Sequence, residues 1–190
     1  LYDLKPANQC DDRVEMEGEL AKVKLPRNTK IALTGFGRVG HGAREIMSLV
    51  SIKEVESSAF LKESFDEPVF THLDTEDYNV RTSEGGFDKR EFYANGAGYE
   101  STFPQYCHEA DMYMACHYWA DGSPFLFTRE DIKNPNWKTS VVADISCDID
   151  GPVASTIRPS KIADPIYGYD PATESEIDFK TPGSIAVMAV

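Results

Sequence analysis

The sequence predicts an α/β fold of the Rossmann type, a doubly wound, mainly parallel sheet with helices on both faces. Three observations carry that expectation. A short apolar run, Lys30-Ile-Ala-Leu-Thr34, leads into a glycine turn, Gly35-Phe-Gly37-Arg-Val-Gly40. Behind the turn, Val39, Ala43, Ile46, Met47 and Val50 recur at helical spacing. Further runs at 111–119, 140–146 and 184–190 are apolar throughout rather than alternating. Continuous apolar strands separated by helical crossovers imply a parallel sheet buried on both faces.

Taken in order, residues 1–28 read as a lead-in, helical over 11–24, where Val14, Leu20 and Val23 stand among Glu and Lys. Pro26 stops that run, because proline cannot continue a helix interior. Residues 29–190 form the main domain. Its first strand is 30–34, the glycine turn opens the first helix, and strands follow at 52–56 and 68–74. The stretch 75–108 is polar and turn-rich, with Glu84-Gly-Gly86 and Asn95-Gly-Ala-Gly98, and reads as a crossover with one or two short helices. Strand 111–119 comes next, then a helix that Thr128 caps, since a threonine oxygen can accept from the first free amides. Strands at 140–146, 165–169 and 184–190 complete the domain. The last of these is apolar without a closing turn, and the first residue is Leu1. The natural protein is therefore expected to continue beyond Val190.

Composition narrows the function. The chain has 190 residues with 19 basic and 32 acidic side chains, a net charge of −13. A chain of this length can bury roughly 70% of its unfolded surface. Its charge argues against nucleic acid, whose binding needs a Lys/Arg surface to displace counterions. No apolar run approaches the roughly 20 residues that span a bilayer, so no membrane partner is expected. The expected setting is cytoplasmic. Cys10, Cys107, Cys116 and Cys147 form no CxxC and no zinc spacing, and read as free thiols in a reducing compartment, two of them in strand-like segments. His41, His72, His108 and His117 are scattered, so no metal site is expected.

The candidate site begins at the glycines. Gly35-x-Gly37-x-x-Gly40 follows a strand and opens a helix, the context in which this spacing binds a dinucleotide. Gly35 permits the tight turn, Gly37 lets a pyrophosphate reach backbone, and Gly40 lets helix pack on strand. Phe36, Arg38 and Val39 lie within the same turn. The helix N-terminus then offers free N–H groups and a positive dipole end. An acidic residue about 20 positions on should hold the adenosine ribose, and Glu56 lies at that distance, with Glu54 just before it. A carboxylate there repels a 2′-phosphate and favours NAD over NADP; the alternative is a pair of solvated glutamates. Asp74 ends the third strand and either reaches the adenosine or caps the next helix. His117 follows the fourth strand at the ligand edge. Asp144 stands among apolar residues and is either a structural clamp or part of the site, since a buried carboxylate must be paired. Asp148 lies four residues further, at the mouth, where it faces a nicotinamide or substrate, or else ends the strand in an Asx turn with Asp150. Arg158 reads as an anion contact or a surface arginine.

Three segments together resemble one family: Lys30 through Gly40, His117-Tyr-Trp119 with Leu126-Phe-Thr-Arg-Glu-Asp131, and Val142-Ala-Asp-Ile-Ser-Cys-Asp148 through Pro165-Ile-Tyr-Gly-Tyr-Asp170. It is the nucleotide-binding domain of lysine-forming saccharopine dehydrogenase and lysine–ketoglutarate reductase, within the alanine dehydrogenase/transhydrogenase superfamily. The match covers about residues 29–190, with residues 1–28 resembling the interdomain connection less clearly. The resemblance implies a two-domain enzyme that oxidises saccharopine to lysine and 2-oxoglutarate with NAD, or runs the reverse. It implies that Asp148 lies beside nicotinamide and amino-acid substrate as a catalytic residue. It also implies that the acid–base lysine and histidine belong to another domain, which is this chain's expected partner. No position here corresponds to them, so the chain alone is expected to be inactive. A non-catalytic NAD(H) module of transhydrogenase or alanine dehydrogenase type is the alternative, and a homo-oligomer is left open.

Overall fold

A computed structural model describes residues 3–83 and 85–190. Glu84, in the expected 84–86 turn, lies outside them. Strand β1 (Lys30–Thr34) is buried along its whole length. The turn after it opens α2 (Arg38–Met47), which follows α1 (Arg13–Leu20) of the lead-in. Then come β2 (Lys53–Glu54), α3 (Ser57–Lys62) and β3 (Val69–Leu73).

The crossover after β3 holds more than two short helices. It runs through α4 (Thr75–Tyr78), β4 (Asn79–Arg81), α5 (Lys89–Ala94), β5 (Tyr99–Ser101) and α6 (Pro104–Cys107). Strands β4 and β5 pair as a separate antiparallel ribbon. The rest comprises β6 (Met112–Ala115), α7 (Arg129–Ile132), β7 (Val141–Asp144), β8 (Tyr167–Asp170), β9 (Ser175–Ile177) and β10 (Ile185–Ala189). Thr128 caps α7 as expected, its side chain accepting from the Asp131 amide. Strand β6 stops at Ala115 rather than 119, so Cys116 and Cys147 both lie just past strand ends.

The main sheet has the order β2-β3-β1-β6-β7-β10-β8-β9. Pairing is parallel from β2 to β10, and β8 and β9 close one edge antiparallel. This is the Rossmann-like α/β fold. Its two faces are unequally covered. Ala32, Phe60, Leu73, Tyr113, Val142 and Val187 belong to one large core, whereas Ile31, Leu33, Met47 and Phe70 form a smaller one under α2. Val39 does not join that inner stripe of α2 and is 51% exposed at the turn. No helix among the described residues is long and apolar enough to cross a membrane.

The order places the site. From β1 the chain moves outward to β2 and β3, then crosses over β1 to β6, so the strand order reverses between β1 and β6. Ligands of open α/β sheets gather at such a switch point, beyond the carboxyl ends. Register aligns Thr34 with Leu73 and Ala115, and Ala115 with Asp144. The residues that follow, Gly35, Asp74, Cys116 and Ile145, therefore form one row along that edge.

Candidate functional site

At the head of the row, Gly35 has φ +101°, a left-handed conformation that favours glycine. A Cβ on it would lie 2.3 Å from the Cys116 carbonyl oxygen. A Cβ on Gly40 would lie 1.7 Å from the Gly35 oxygen, so turn and helix touch through backbone. Gly37 is different: a Cβ there meets nothing within 4 Å. It caps α2, a ten-residue helix lining the cleft described below, and no side chain hydrogen-bonds to the cap. The first and third glycines make the turn, and the second leaves it bare.

Sequence reasoning missed the residue that fixes this turn. His72, in β3, donates from Nε2 to the Gly35 carbonyl at 2.7 Å. Its ring also stacks on Phe36, with centroids 4.0 Å apart. A histidine at a strand end carries no spacing signal for such a contact.

A cleft of about 380 Å³ lies over the turn, walled by Gly35, Gly37, Arg38 and Val39 on one side and by Asp74, Lys89, Tyr93, His117 and Tyr118 on the others. A groove of about 830 Å³ shares Phe36 and Asp74 with it and continues past Glu54, Glu56 and Asp77. Both are of the size in which small ligands and cofactors bind, roughly 300–1,000 Å³. Arg38 is exposed and makes no ion pair among the described residues.

Glu56 stands further from the glycine turn than counting residues implies. Strand β2, which precedes Glu56, is not the neighbour of β1; β3 is. Glu56 is exposed at the N-cap of α3, one strand further out, while Glu54 is paired with Arg44 at 2.6 Å. Asp74 takes the place next to the glycine turn. Its Oδ1 accepts from the Thr75 amide at 2.8 Å, its Oδ2 from Lys89 Nζ at 2.6 Å. Burial works against its charge, but the Lys89 ammonium and the Thr75 donors hold its pKa below the ordinary value.

His117 is 7% exposed, beside the cleft. Its Nδ1 lies 3.2 Å from Thr34 Oγ1 and 3.4 Å from Tyr113 Oη, and its Nε2 has no partner among the described residues. Burial lowers its pKa to about 4, against an attraction from Asp144, so the ring is neutral near pH 7. A neutral imidazole can accept or donate one hydrogen bond without a charge to solvate.

Of the two readings of Asp144, its hydrogen bonds support the structural clamp. It is fully buried, and its own chain uses both carboxylate oxygens. Oδ1 accepts from the Ser146 amide (3.0 Å), the Ser146 hydroxyl (2.5 Å) and the Cys147 amide (3.1 Å), and Oδ2 from Thr156 Oγ1 at 2.6 Å. It is the clamp of the turn after β7. Four residues on, Asp148 is half-buried, and its carboxylate has no hydrogen bond among the described residues. Burial, then the Asp144 charge, raises its pKa. Cys147 and Asp150 flank it at φ +53° and +52°, a conformation non-glycine residues rarely adopt. Arg158 is bound to Glu176 at 2.6 Å and lies over the Tyr167 ring, a surface role.

No family profile matches the chain. It is similar to an alpha-aminoadipic semialdehyde synthase of Arabidopsis thaliana, 26% identical over 177 residues. That alignment takes in 83% of this chain but 17% of the relative, so the chain spans about a sixth of the protein it matches. The aligned stretch extends well beyond the glycine turn.

Proposed function

We propose that the chain binds NAD(H) and forms the cofactor side of an amino-acid dehydrogenase of the saccharopine type. The observation that carries the reading is the bare backbone at Gly37, capping α2 at the floor of the cleft. A pyrophosphate fits there: it needs amides without partners, room at the middle glycine, and a helix N-terminus. Arg38 adds a cation that makes no ion pair among the described residues.

The groove supports NAD over NADP. It carries the carboxylates of Glu54, Glu56, Asp74 and Asp77, while its cations are already paired, Arg44 with Glu54 and Lys53 with Glu67. A 2′-phosphate would enter a groove lined by more carboxylates than cations. The Arabidopsis relative supports amino-acid chemistry, since it is named for an amino-acid semialdehyde. Bound nicotinamide would supply the hydride acceptor or donor. This chain's residues would hold the pyrophosphate at 35–40, the ribose at Asp74 or Glu56, and one side of the nicotinamide region at His117. Asp148, a half-buried carboxylate without a partner among the described residues, would face the substrate. The acid–base pair is expected from another part of the longer protein, as the resemblance to the saccharopine dehydrogenases implies.

Calorimetric titration of the 190 residues with NADH and NADPH tests the reading. NADH should bind more tightly than NADPH, and no saccharopine oxidation should accompany binding. Gly37→Val should weaken NADH at least tenfold, about 1.4 kcal/mol, with an unchanged melting temperature because the added side chain points into open space. Failure of the parent chain to bind either dinucleotide would remove the proposal.

A further inference from the structure

We infer that Lys89 is a phosphate-binding residue that changes partner on ligand binding, leaving Asp74 for the pyrophosphate and freeing an Asp74 oxygen for the ribose. The inference rests on the dinucleotide reading above and goes beyond it in naming a cation, a specificity device and their exchange.

Lys89 is the first residue of α5, in the crossover that folds down as the far wall of the cleft. Its backbone is held firmly. Phe87, Phe92 and Tyr99 pack edge to face or tilted at centroid distances of 5.2–5.5 Å, and Asp88 caps the helix by accepting from the Arg90 and Glu91 amides. What moves is the side chain, 53% exposed and carrying its ammonium on four flexible methylenes.

Asp74 does not need Lys89 to stay in place. Its Oδ1 is fixed in the cap of α4 by Thr75, and Asp77 returns the contact by accepting from the Asp74 amide at 2.8 Å. Only Oδ2 faces Lys89. A half-exposed ion pair contributes little net stability, so the exchange meets a small opposing term. It also balances charge. The ammonium trades a carboxylate for a phosphodiester, and the carboxylate trades an ammonium for two ribose hydroxyls. In a chain of net charge −13, the cleft offers a pyrophosphate two cationic side chains, Arg38 and Lys89. Once Lys89 has left, Asp74 presents its full charge to the ribose, and that charge repels a 2′-phosphate.

A double-mutant cycle on NADH affinity separates this role from that of a simple staple. Lys89→Met should weaken NADH about tenfold, Lys89→Arg should stay within about threefold of the parent, and melting temperatures should match. The decisive arm is Lys89→Met in an Asp74→Asn background. Direct contact with phosphate predicts that the tenfold loss persists there; a staple acting through Asp74 predicts that it vanishes, which would overturn the inference. Asp74→Asn alone should shift the NADH-to-NADPH affinity ratio at least fivefold toward NADPH. Unchanged NADH affinity in Lys89→Met, with the parent binding normally, would sink Lys89 alone; a parent that binds no dinucleotide would sink the underlying reading with it.

Discussion

Two turns at the same edge of the sheet end their strands in opposite ways. After β1 the chain passes through three glycines and leaves the first amides of α2 open to a cleft. After β7, two strands away, the buried Asp144 carboxylate gathers two amides and two hydroxyls. The first turn keeps backbone groups free; the second satisfies them internally. Because a buried polar group without a partner is expensive, the closed turn stabilises the fold, and the open one is tolerated only where water or a ligand can reach it.

The largest expected effect falls on the closed turn. Asp144→Ala leaves two amides and two hydroxyls without their acceptor, the Thr156 hydroxyl buried and the other three donors half-buried, which should cost about 4 kcal/mol. For a chain of this length the melting temperature should drop by roughly 12 °C. NADH affinity measured well below the transition should change little. The contrast between the turns would break if the variant melted like the parent and lost NADH instead.

Strand β6 lies between them, and its end combines both behaviours: His117 has Nδ1 beside two hydroxyls and Nε2 without a partner among the described residues. Its folded pKa is depressed to about 4 from 6.5, so the neutral form is the one the fold accepts. Above pH 6.5 both states hold it neutral and its contribution is fully present. As pH falls from 6.5 toward 4 the unfolded chain takes up the proton first, and stability is lost, on the order of 2–3 kcal/mol across that window. Thermal unfolding followed from pH 7 to pH 4 should show His117→Asn less acid-sensitive than the parent. Parallel curves would mean that the ring is solvated and charges freely.

What the sequence revealed, and what it hid, follows the same division. The unit from Lys30 to Met47 was legible because apolar run, glycine spacing and helical period all lie within 18 consecutive residues. The capping of α7 by Thr128 was legible for the same reason. The β4–β5 ribbon and β9 were not, since three-residue strands have no period and owe their existence to partners elsewhere in the chain. The ambiguity at Asp144 was real: residue type and apolar neighbours predicted burial, but the choice between clamp and site depended on Thr156, twelve residues away. Lys89 and His72 carried no local signal at all. Each matters through a contact across the cleft edge, 15 and 37 residues from its partner.

The smallest effect is expected where residue counting and topology disagree. Glu56 stands at the expected distance from the glycines, but β3 occupies the place beside β1, and Asp74 ends it. Glu56 is exposed on the outer rim of the groove, where a carboxylate acts on a 2′-phosphate through solvent and is screened over about 8–10 Å at physiological salt. Glu56→Ser should therefore narrow the preference for NADH over NADPH by less than about threefold, and by less still at high salt. Paired titrations with the two dinucleotides at low and high ionic strength read this directly. A salt-independent shift of tenfold or more would make Glu56 the direct ribose partner. Strand adjacency would then be a poorer guide to this groove than distance along the chain, and the open turn would extend its reach one strand further than its neighbours imply.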